Sequence, residues 1–281
     1  MTQYHFISGL PRSGSTLLAG LLRQNPALHG AMSSPVASLM ALCLEHIAPS
    51  SEFGPFFDAQ KRRRLCHAIF SSYYQNHVDK TIIFDTNRAW TARLHQLVEL
   101  FDDFKMICCV RNPASIMDSF ECIYRKNPFD YGRIYSPQTR HTVYTRCESL
   151  ANYQGAFGGA WTALKEAYYG EYSDRLLLLD YDLLTQHPAR SMELLYQFLG
   201  VPSFDHDFNN VVYEEGEFDS NIGVKGLHTV KRQVTHTPRR SILPPELFNK
   251  YSEMAFWHDT NGTRAHFICA KSGQGDNYGS F

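Results

Sequence analysis

The feature that most constrains the fold is the stretch YHFISGLPRSGSTLLAGLLRQNP near the start of the chain. Residues 4–10 have the length and apolar character of a buried strand, and residues 15–26 place four leucines on one helical face before Pro26 ends the pattern. A short glycine-containing turn joins the two segments. A strand that passes through a tight turn into a helix is typical of a βαβ unit, which leads to a parallel sheet.

The same alternation continues along the chain. Further strands are predicted at 81–86, 105–111 and 175–181, each followed by a helical pattern. The third strand, KMICCVR, is apolar almost throughout, as expected for a parallel strand covered on both faces. We find no internal repeat and no dividing linker. The prediction is therefore one doubly wound α/β domain over 1–281, with a mostly parallel sheet flanked by helices, an irregular segment at about 205–240 and a mobile tail at about 258–281.

Charge and cysteine content exclude several classes of protein. The formal net charge is −1, so no overall positive field attracts nucleic acid. The seven cysteines are scattered without a C-x-x-C pair, which argues against a zinc clip or disulfide framework and favours reduced thiols. No apolar run approaches the roughly 20 residues of a membrane span, and the first strand starts too early for a signal peptide. The expected location is the cytoplasm.

The turn between the first strand and helix resembles a phosphate-binding loop that lacks its lysine. Such loops read G-x-x-x-x-G-K-[ST], and the lysine reaches the β- and γ-phosphates of a nucleotide. Here Ser15 stands at the lysine position, and the cation of the loop is Arg12. Backbone N–H groups of a turn that contains Gly14, at the start of a helix, bind anions, and hydroxyl donors come from Ser13, Ser15 and Thr16. The loop therefore predicts an oxyanion site without a γ-phosphate.

A second anion motif follows the third strand. Arg111 ends that strand, Asn112 is the predicted cap of the next helix, and Ser119 lies eight residues after Arg111. Because ligands of open α/β sheets bind at the carboxyl ends of the strands, Arg111 is expected to face the same crevice as the loop. Together the motifs predict a ligand phosphorylated at two distant points. A P-loop kinase for a small molecule, a non-catalytic nucleotide-binding module and a turn without ligand remain alternatives.

These motifs resemble those of sulfotransferases that use 3′-phosphoadenosine 5′-phosphosulfate (PAPS). The loop matches the P-R-S-G-[ST]-T-L type, Arg111 and Ser119 match the 3′-phosphate motif, and the segment LLLDYDLLTQHPARSMELLYQFLGV is similar to a Y-E-x-L segment with its helix. The resemblance covers most of residues 4–202 and is greatest to the tyrosylprotein sulfotransferases and their bacterial relatives. It implies a P-loop-like fold, PAPS as donor, 3′-phosphoadenosine 5′-phosphate (PAP) as product and no metal.

The resemblance also implies roles for individual residues. The loop from Arg12 to Leu17 would hold the 5′-phosphosulfate, Arg111 and Ser119 the 3′-phosphate, and Tyr181 would lie near the nucleotide. The segment GVKGLHTVKRQV resembles the loop that covers the nucleotide. Its cations Lys225 and Lys231 would close over the 3′-phosphate.

The catalytic groups follow from the chemistry of sulfuryl transfer. A cation must stabilise the bridging oxygen, and a base must take the proton of the acceptor hydroxyl. Arg12 is the first candidate for the cation, and Arg88 takes the place where related enzymes have a lysine. The base is open, because residues 29–38 lack the carboxylate that tyrosylprotein enzymes have there. Asp85 is the nearest carboxylate, and His228 and His29 are alternatives.

The acceptor is also open at this stage. The resemblance favours a peptide tyrosine, and the hydroxyl of a small molecule or a saccharide is the alternative. The loop at 127–142, which contains several tyrosines and arginines, is a candidate acceptor wall, and its arginines would suit an acidic peptide. A homodimer is left open.

Overall fold

The computed structural model describes residues 2–126, 129, 134–213, 228 and 230–269. Within these residues six strands form a single parallel sheet in the order β2-β3-β1-β4-β5-β6. The strands are β1 (Gln3–Gly9), β2 (Leu28–Gly30), β3 (Ile82–Thr86), β4 (Met106–Val110), β5 (Leu176–Asp180) and β6 (His266–Ile268). The predicted fold class, an α/β domain with a parallel central sheet flanked by helices, is confirmed.

Helices connect the strands and cover both faces of the sheet. They are α1 (Ser15–Leu22), α2 (Val36–His46), α3 (Ala59–Tyr73), α4 (Leu94–Leu100), α5 (Pro113–Lys126), α6 (Val143–Ala151), α7 (Gly158–Tyr169), α8 (Tyr181–Gln186), α9 (Pro188–Leu199) and α10 (Pro245–Ser252). A 3₁₀ segment, Arg88–Arg93, precedes α4. No helix in the described part of the chain is both long and apolar enough to cross a membrane.

The strand order places the crevice of the sheet beside β1. The chain runs from β1 to β2 and β3 on one side and then crosses to β4 on the other, so β1 has β3 and β4 as its neighbours. At such a reversal the connections leave in opposite directions and open a crevice at the carboxyl ends of the strands. The turn after Gly9 therefore lies between the ends of β3 and β4.

The region 143–170 forms two helices. α6 ends at Ala151 and α7 begins at Gly158, with a tight turn between them. A side chain at Gly155 would place its Cβ 2.2 Å from the Ser149 carbonyl oxygen, so the turn folds back against α6 where a side chain would clash. The break directs the C-terminal end of α6 and the following turn toward the crevice.

The short edge strands β2 and β6 were not predicted. β6 lies within the segment 258–281 that the sequence suggested to be a mobile tail, and for His266–Ile268 that expectation is wrong. Ile268 is buried, and β6 pairs in parallel with β5. Residues 270–281 lie outside the described residues.

All seven cysteines carry free thiols.

Candidate active site

A cavity of about 1440 Å³ opens at the carboxyl ends of the strands. The turn after β1, the end of β3, Arg111 after β4 and Tyr181 after β5 all contribute to its lining. Typical pockets for a single small ligand measure about 300–1,000 Å³. The cavity therefore has room for two molecules side by side.

The turn after β1 has the backbone of an anion cradle. Gly9 and Gly14 adopt φ of 103° and 92°, and Arg12 adopts φ of 59°, a left-handed conformation that is costly for a side chain other than glycine. α1 starts at Ser15, and no side chain caps its first turn within the described residues. The first N–H groups of a helix have no partner inside it. Uncapped donors and a left-handed arginine at one turn are the arrangement expected of an oxyanion site.

The two predicted anion motifs meet through a direct side-chain contact. Arg12 Nε donates a hydrogen bond of 3.1 Å to Ser119 Oγ, although the residues are 107 positions apart. Ser119 lies on α5, which begins directly after β4, and Asn112 Oδ1 accepts the Ala114 N–H at the start of this helix, as predicted. The loop after β1 and the helix after β4 thus form adjoining parts of one site.

Arg111 and Tyr181 form a second point of convergence. The Arg111 guanidinium carbon lies 4.4 Å from the centre of the Tyr181 ring. The same ring covers Gly14, where an added Cβ would approach it to 2.6 Å. Arg111 Nε is buried and has no hydrogen-bond partner among the described residues. Such a donor, fixed by stacking and left unsatisfied, is positioned for an oxyanion.

Arg88 projects into the cavity from the 3₁₀ segment after β3. Its carbonyl oxygen accepts a hydrogen bond of 3.2 Å from Ser8 Oγ of β1, and Asn87 caps the segment by accepting the Ala89 N–H. The Arg88 side chain is exposed to the cavity. The protein around it partly desolvates the guanidinium, and this desolvation lowers the pKa of Arg88. Arg88 therefore supplies a partly desolvated cation beside the loop.

Asp85 does not reach the cavity, contrary to its predicted role as a base. Its side chain is fully buried, and its carboxylate accepts hydrogen bonds of 2.7–2.8 Å from Ser34, Tyr74 and Trp90. Burial raises the pKa of Asp85. Because successive strand residues face opposite sides of a sheet, Asp85 points into the core, where its carboxylate accepts hydrogen bonds from these three structural donors.

The two histidine candidates for the base differ in position. His29 lies in β2, its ring stacks on His77 at 3.8 Å between centroids, and it is absent from the cavity lining. Burial lowers the pKa of His29 to about 4. His228 does line the cavity, together with Ser33. The structure therefore keeps His228 and argues against His29.

Three further predicted residues have distinct outcomes. Ser13 is buried, and its hydroxyl contacts the carbonyls of Leu10 and Cys109, so it ties the loop to β4 and does not face the cavity. Lys231 lines the cavity, and its Nζ lies 3.4 Å from Thr237 Oγ1. Lys225 lies outside the described residues.

Several lining residues were missed by sequence reasoning. His236 contacts Thr185 at 3.3 Å, and Arg239 is held against Asp118 of α5. Glu148 of α6 is another lining residue that was not predicted. It lines the cavity together with three polar residues of the same helical face, Thr145, Ser149 and Asn152. Their spacing of three and four residues is a signal that could have revealed a polar helical face. The described part of the predicted wall at 127–142 contributes Ile134, Ser136, Gln138 and Thr139.

Comparison with known proteins assigns the chain that forms this site to a family. The family model described as the sulfotransferase family matches residues 5–206, which include both anion motifs and Tyr181. The chain belongs to the sulfotransferase family. The match supports sulfuryl transfer as its general reaction and does not distinguish the tyrosylprotein branch.

Individual relatives are distant. The nodulation protein NoeE of Sinorhizobium fredii is 29% identical in an alignment 132 residues long, which covers 41% of this sulfotransferase chain and 30% of NoeE. The chain thus spans about a third of that relative. The sulfotransferase domain from the curacin biosynthetic pathway covers 90% of this chain and 97% of the domain at 15% identity, with a TM-score of 0.57. The sulfotransferase domain of the Synechococcus PCC 7002 olefin synthase, at 17% identity, covers 90% and 94% with a TM-score of 0.49. At 15% identity the likeness to the domain from the curacin pathway shows the fold alone.

The residues that the structure describes contain no group of three or more His, Cys, Asp or Glu side chains placed to hold a metal ion. The charges that face the cavity from the loop and strand ends are guanidinium groups of Arg12, Arg88 and Arg111.

Proposed function

We propose that this sulfotransferase transfers a sulfuryl group from PAPS to an acceptor hydroxyl and releases PAP. The observation that carries the proposal is the convergence of two anion sites, through the Arg12–Ser119 hydrogen bond and the stacking of Arg111 on Tyr181. A ligand with phosphates at two separate points satisfies both sites at once.

The residues of the crevice fit such a donor. The uncapped start of α1 and Arg12 would hold the 5′-phosphosulfate, since that turn has fixed N–H donors and a forked cation. Arg111 and Ser119 would hold the 3′-phosphate, which would satisfy the buried Nε of Arg111. Tyr181 fixes the Arg111 guanidinium and covers Gly14. Lys231, and Lys225 from the segment outside the described residues, are proposed to add charge from the covering segment.

Two arginines are proposed to serve the reaction itself. When PAPS is bound, it supplies a sulfuryl group on a good leaving phosphate. Arg12 and Arg88 face the cavity beside the loop, where their charge can stabilise the leaving and sulfuryl oxygens. Since Arg88 remains charged, it stabilises but does not shuttle a proton as a lysine can. A sulfuryl donor has no γ-phosphate, which explains why Ser15 replaces the lysine of nucleotide triphosphatase loops.

A P-loop kinase is the competing function. For the acceptor, the resemblance predicts a peptide tyrosine, with the hydroxyl of a small molecule or a saccharide as the alternative. The kinase reading requires a cation that follows the γ-phosphate and ligands for magnesium. The loop has Ser15 in place of that lysine. The family match also supports sulfuryl transfer over phosphoryl transfer.

Binding measurements distinguish these functions. We expect calorimetric titration to show that PAP binds much more tightly than ATP with magnesium, and radiolabelled PAPS to transfer its label to a hydroxyl acceptor. Arg111→Ala should weaken PAP binding by about 2–5 kcal/mol, because it removes a desolvated charge partner of the phosphate. Arg190→Ala is the matched control, since Arg190 pairs with Glu193 on the surface. Tighter binding of ATP, or equal PAP affinity in the Arg111 variant, would contradict the proposal.

A further inference from the structure

One part of the cavity wall has no role in the proposed donor site. It is formed by α6 with its C-terminal cap and by the segments on either side of this helix. We call it the α6 wall, and its polar residues are Ser136, Gln138, Thr139, Thr145, Glu148, Ser149, Asn152 and Gln154. Four of them recur at the three- and four-residue spacing of a single helical face. A whole helical face is therefore turned toward the cavity.

The α6 wall has an unusual distribution of charge. Seven of its eight polar residues are neutral hydrogen-bonding side chains, and the eighth is Glu148. The lining residues described between 134 and 156 include no lysine or arginine. Glu148 is also the one Asp or Glu among all the described residues that line the cavity. The cations thus lie at the donor side, and the single carboxylate lies at the α6 wall.

The α6 wall is anchored firmly to the rest of the site. Arg146, two residues before Glu148, donates hydrogen bonds of 2.8 and 2.7 Å to the buried Glu121 carboxylate of α5. α5 also carries Ser119, which contacts Arg12. The helix that presents Glu148 is therefore fixed relative to the helix that holds the second anion motif.

We propose that the α6 wall binds the acceptor, that Glu148 accepts the proton of the reacting hydroxyl, and that the acceptor is an uncharged, hydroxyl-rich molecule of the saccharide type. This inference rests on the proposed function. Amide and hydroxyl side chains exchange hydrogen bonds in both directions, as a polyhydroxylated ligand requires. An acidic peptide would bring its negative charge to the one carboxylate among the described lining residues.

In the proposed step the Glu148 carboxylate is the destination of the proton. The acceptor oxygen forms a bond to sulfur while the bond between sulfur and the bridging oxygen breaks, and the electron pair of that bond leaves on the phosphate of PAP. The proton of the acceptor hydroxyl passes to the Glu148 carboxylate and from there to solvent, since Glu148 is exposed to the cavity. No oxidant or metal enters the balance.

Removal of the carboxylate tests its role. We expect Glu148→Ala and Glu148→Gln to lower kcat by about 10²–10⁴-fold while PAP affinity stays within twofold of the parent. Added formate should restore part of the activity of the alanine variant, which a purely structural role would not allow. Glu166→Ala is the matched control, because Glu166 is an exposed glutamate of α7 away from the cavity.

Three results would overturn the assignment of Glu148. These are an unchanged kcat in both variants, a loss of PAP affinity that accounts for the loss of activity, and a loss of kcat in His228→Ala with none in Glu148→Ala. The second would make Glu148 a structural residue, and the third would make His228 the base.

Matched acceptors test the substrate class. We expect a neutral oligosaccharide to be labelled at least tenfold faster, in kcat/KM, than its uronic-acid counterpart, and Asn152→Ala to raise KM for the neutral sugar without changing PAP affinity. Faster labelling of an acidic tyrosine peptide than of neutral saccharides would overturn this inference and leave the proposed function intact. Failure of the parent protein both to bind PAP and to label any acceptor would refute the proposed function itself.

Discussion

At the residue scale, the site depends on a single ring that contacts both anion motifs. Tyr181 packs over Gly14 of the loop and stacks on Arg111. Gly14 adopts φ of 92°, which glycine reaches without strain. The absence of a side chain at Gly14 therefore serves two purposes, because it permits the turn and leaves space for the ring.

Substitution of Gly14 should separate these two purposes. Gly14→Ala is expected to destabilise the protein by about 1–2 kcal/mol through left-handed strain and, in addition, to lower PAP affinity at least tenfold, because the new Cβ displaces Tyr181. Gly200→Ala is the control, since Gly200 has φ of 73° but no atom within 4 Å of the added Cβ. Calorimetry should show intact PAP binding in the control. Equal PAP affinity in the two variants would contradict the role given to the ring.

At the element scale, a buried ion pair holds α6 against α5. Glu121 and Arg146 are almost completely buried, and Arg146 also lies 3.9 Å from the centre of the Tyr124 ring. Arg125 contacts the same carboxylate from a more exposed position. Burying two charges costs much of what their attraction contributes, so the pair acts mainly by fixing how the helices dock.

Breaking the pair from one side should be costly. Arg146→Met is expected to lower the free energy of unfolding by up to about 3–5 kcal/mol, because it leaves the buried Glu121 charge with only the more exposed Arg125 as its partner. The double variant Glu121→Gln with Arg146→Met should recover much of this loss. Arg63→Met is the control, since Arg63 pairs with Glu99 on the surface, where such pairs contribute about 0–1 kcal/mol. If denaturant unfolding gave similar losses of unfolding free energy for the two single variants, the buried pair would stabilise the protein no more than the surface pair does.

At the scale of the whole molecule, a histidine buried in the sheet makes the free energy of unfolding depend on pH. His5 lies in β1 between β3 and β4 and is 2% exposed. Burial lowers the pKa of His5 to about 4. In the unfolded chain the pKa of a histidine is about 6.5. Between these two values the unfolded chain binds a proton that the folded protein does not.

The sign of the resulting pH dependence follows directly. The contribution of neutral His5 to the free energy of unfolding is complete above about pH 6.5 and decreases as pH falls toward 4. Below that value His5 causes no further loss, since both the folded and the unfolded state are then protonated. The loss from His5 is expected to reach roughly 3 kcal/mol. His5→Gln should flatten the dependence of the unfolding free energy on pH in this window, as measured by denaturant titration. An equally steep dependence in the variant would assign the effect to other groups, such as His29.

How far the sequence predicts the site can be judged from particular residues. Arg12 follows the first predicted strand, and Arg111 and Tyr181 are the last residues of two others. Parallel strands bring their carboxyl ends to one edge, so local patterns sufficed to place the three residues together. Asp85 was misjudged by one position in a strand. Its neighbour Thr86 lines the cavity, whereas the Asp85 side chain enters the core and satisfies Ser34, Tyr74 and Trp90.

The sequence by itself determined the parallel α/β fold, the phosphate loop without a lysine and the position of Arg111 at the end of the strand that is β4 in the structure. These features are local, since periodicity and turn chemistry are encoded within a few adjacent residues. Only the tertiary structure decided that Arg12 contacts Ser119, that Asp85 is a core residue and that Glu148 faces the cavity. Such contacts join segments far apart in the chain, and they depend on how helices dock on the sheet, which no local pattern specifies.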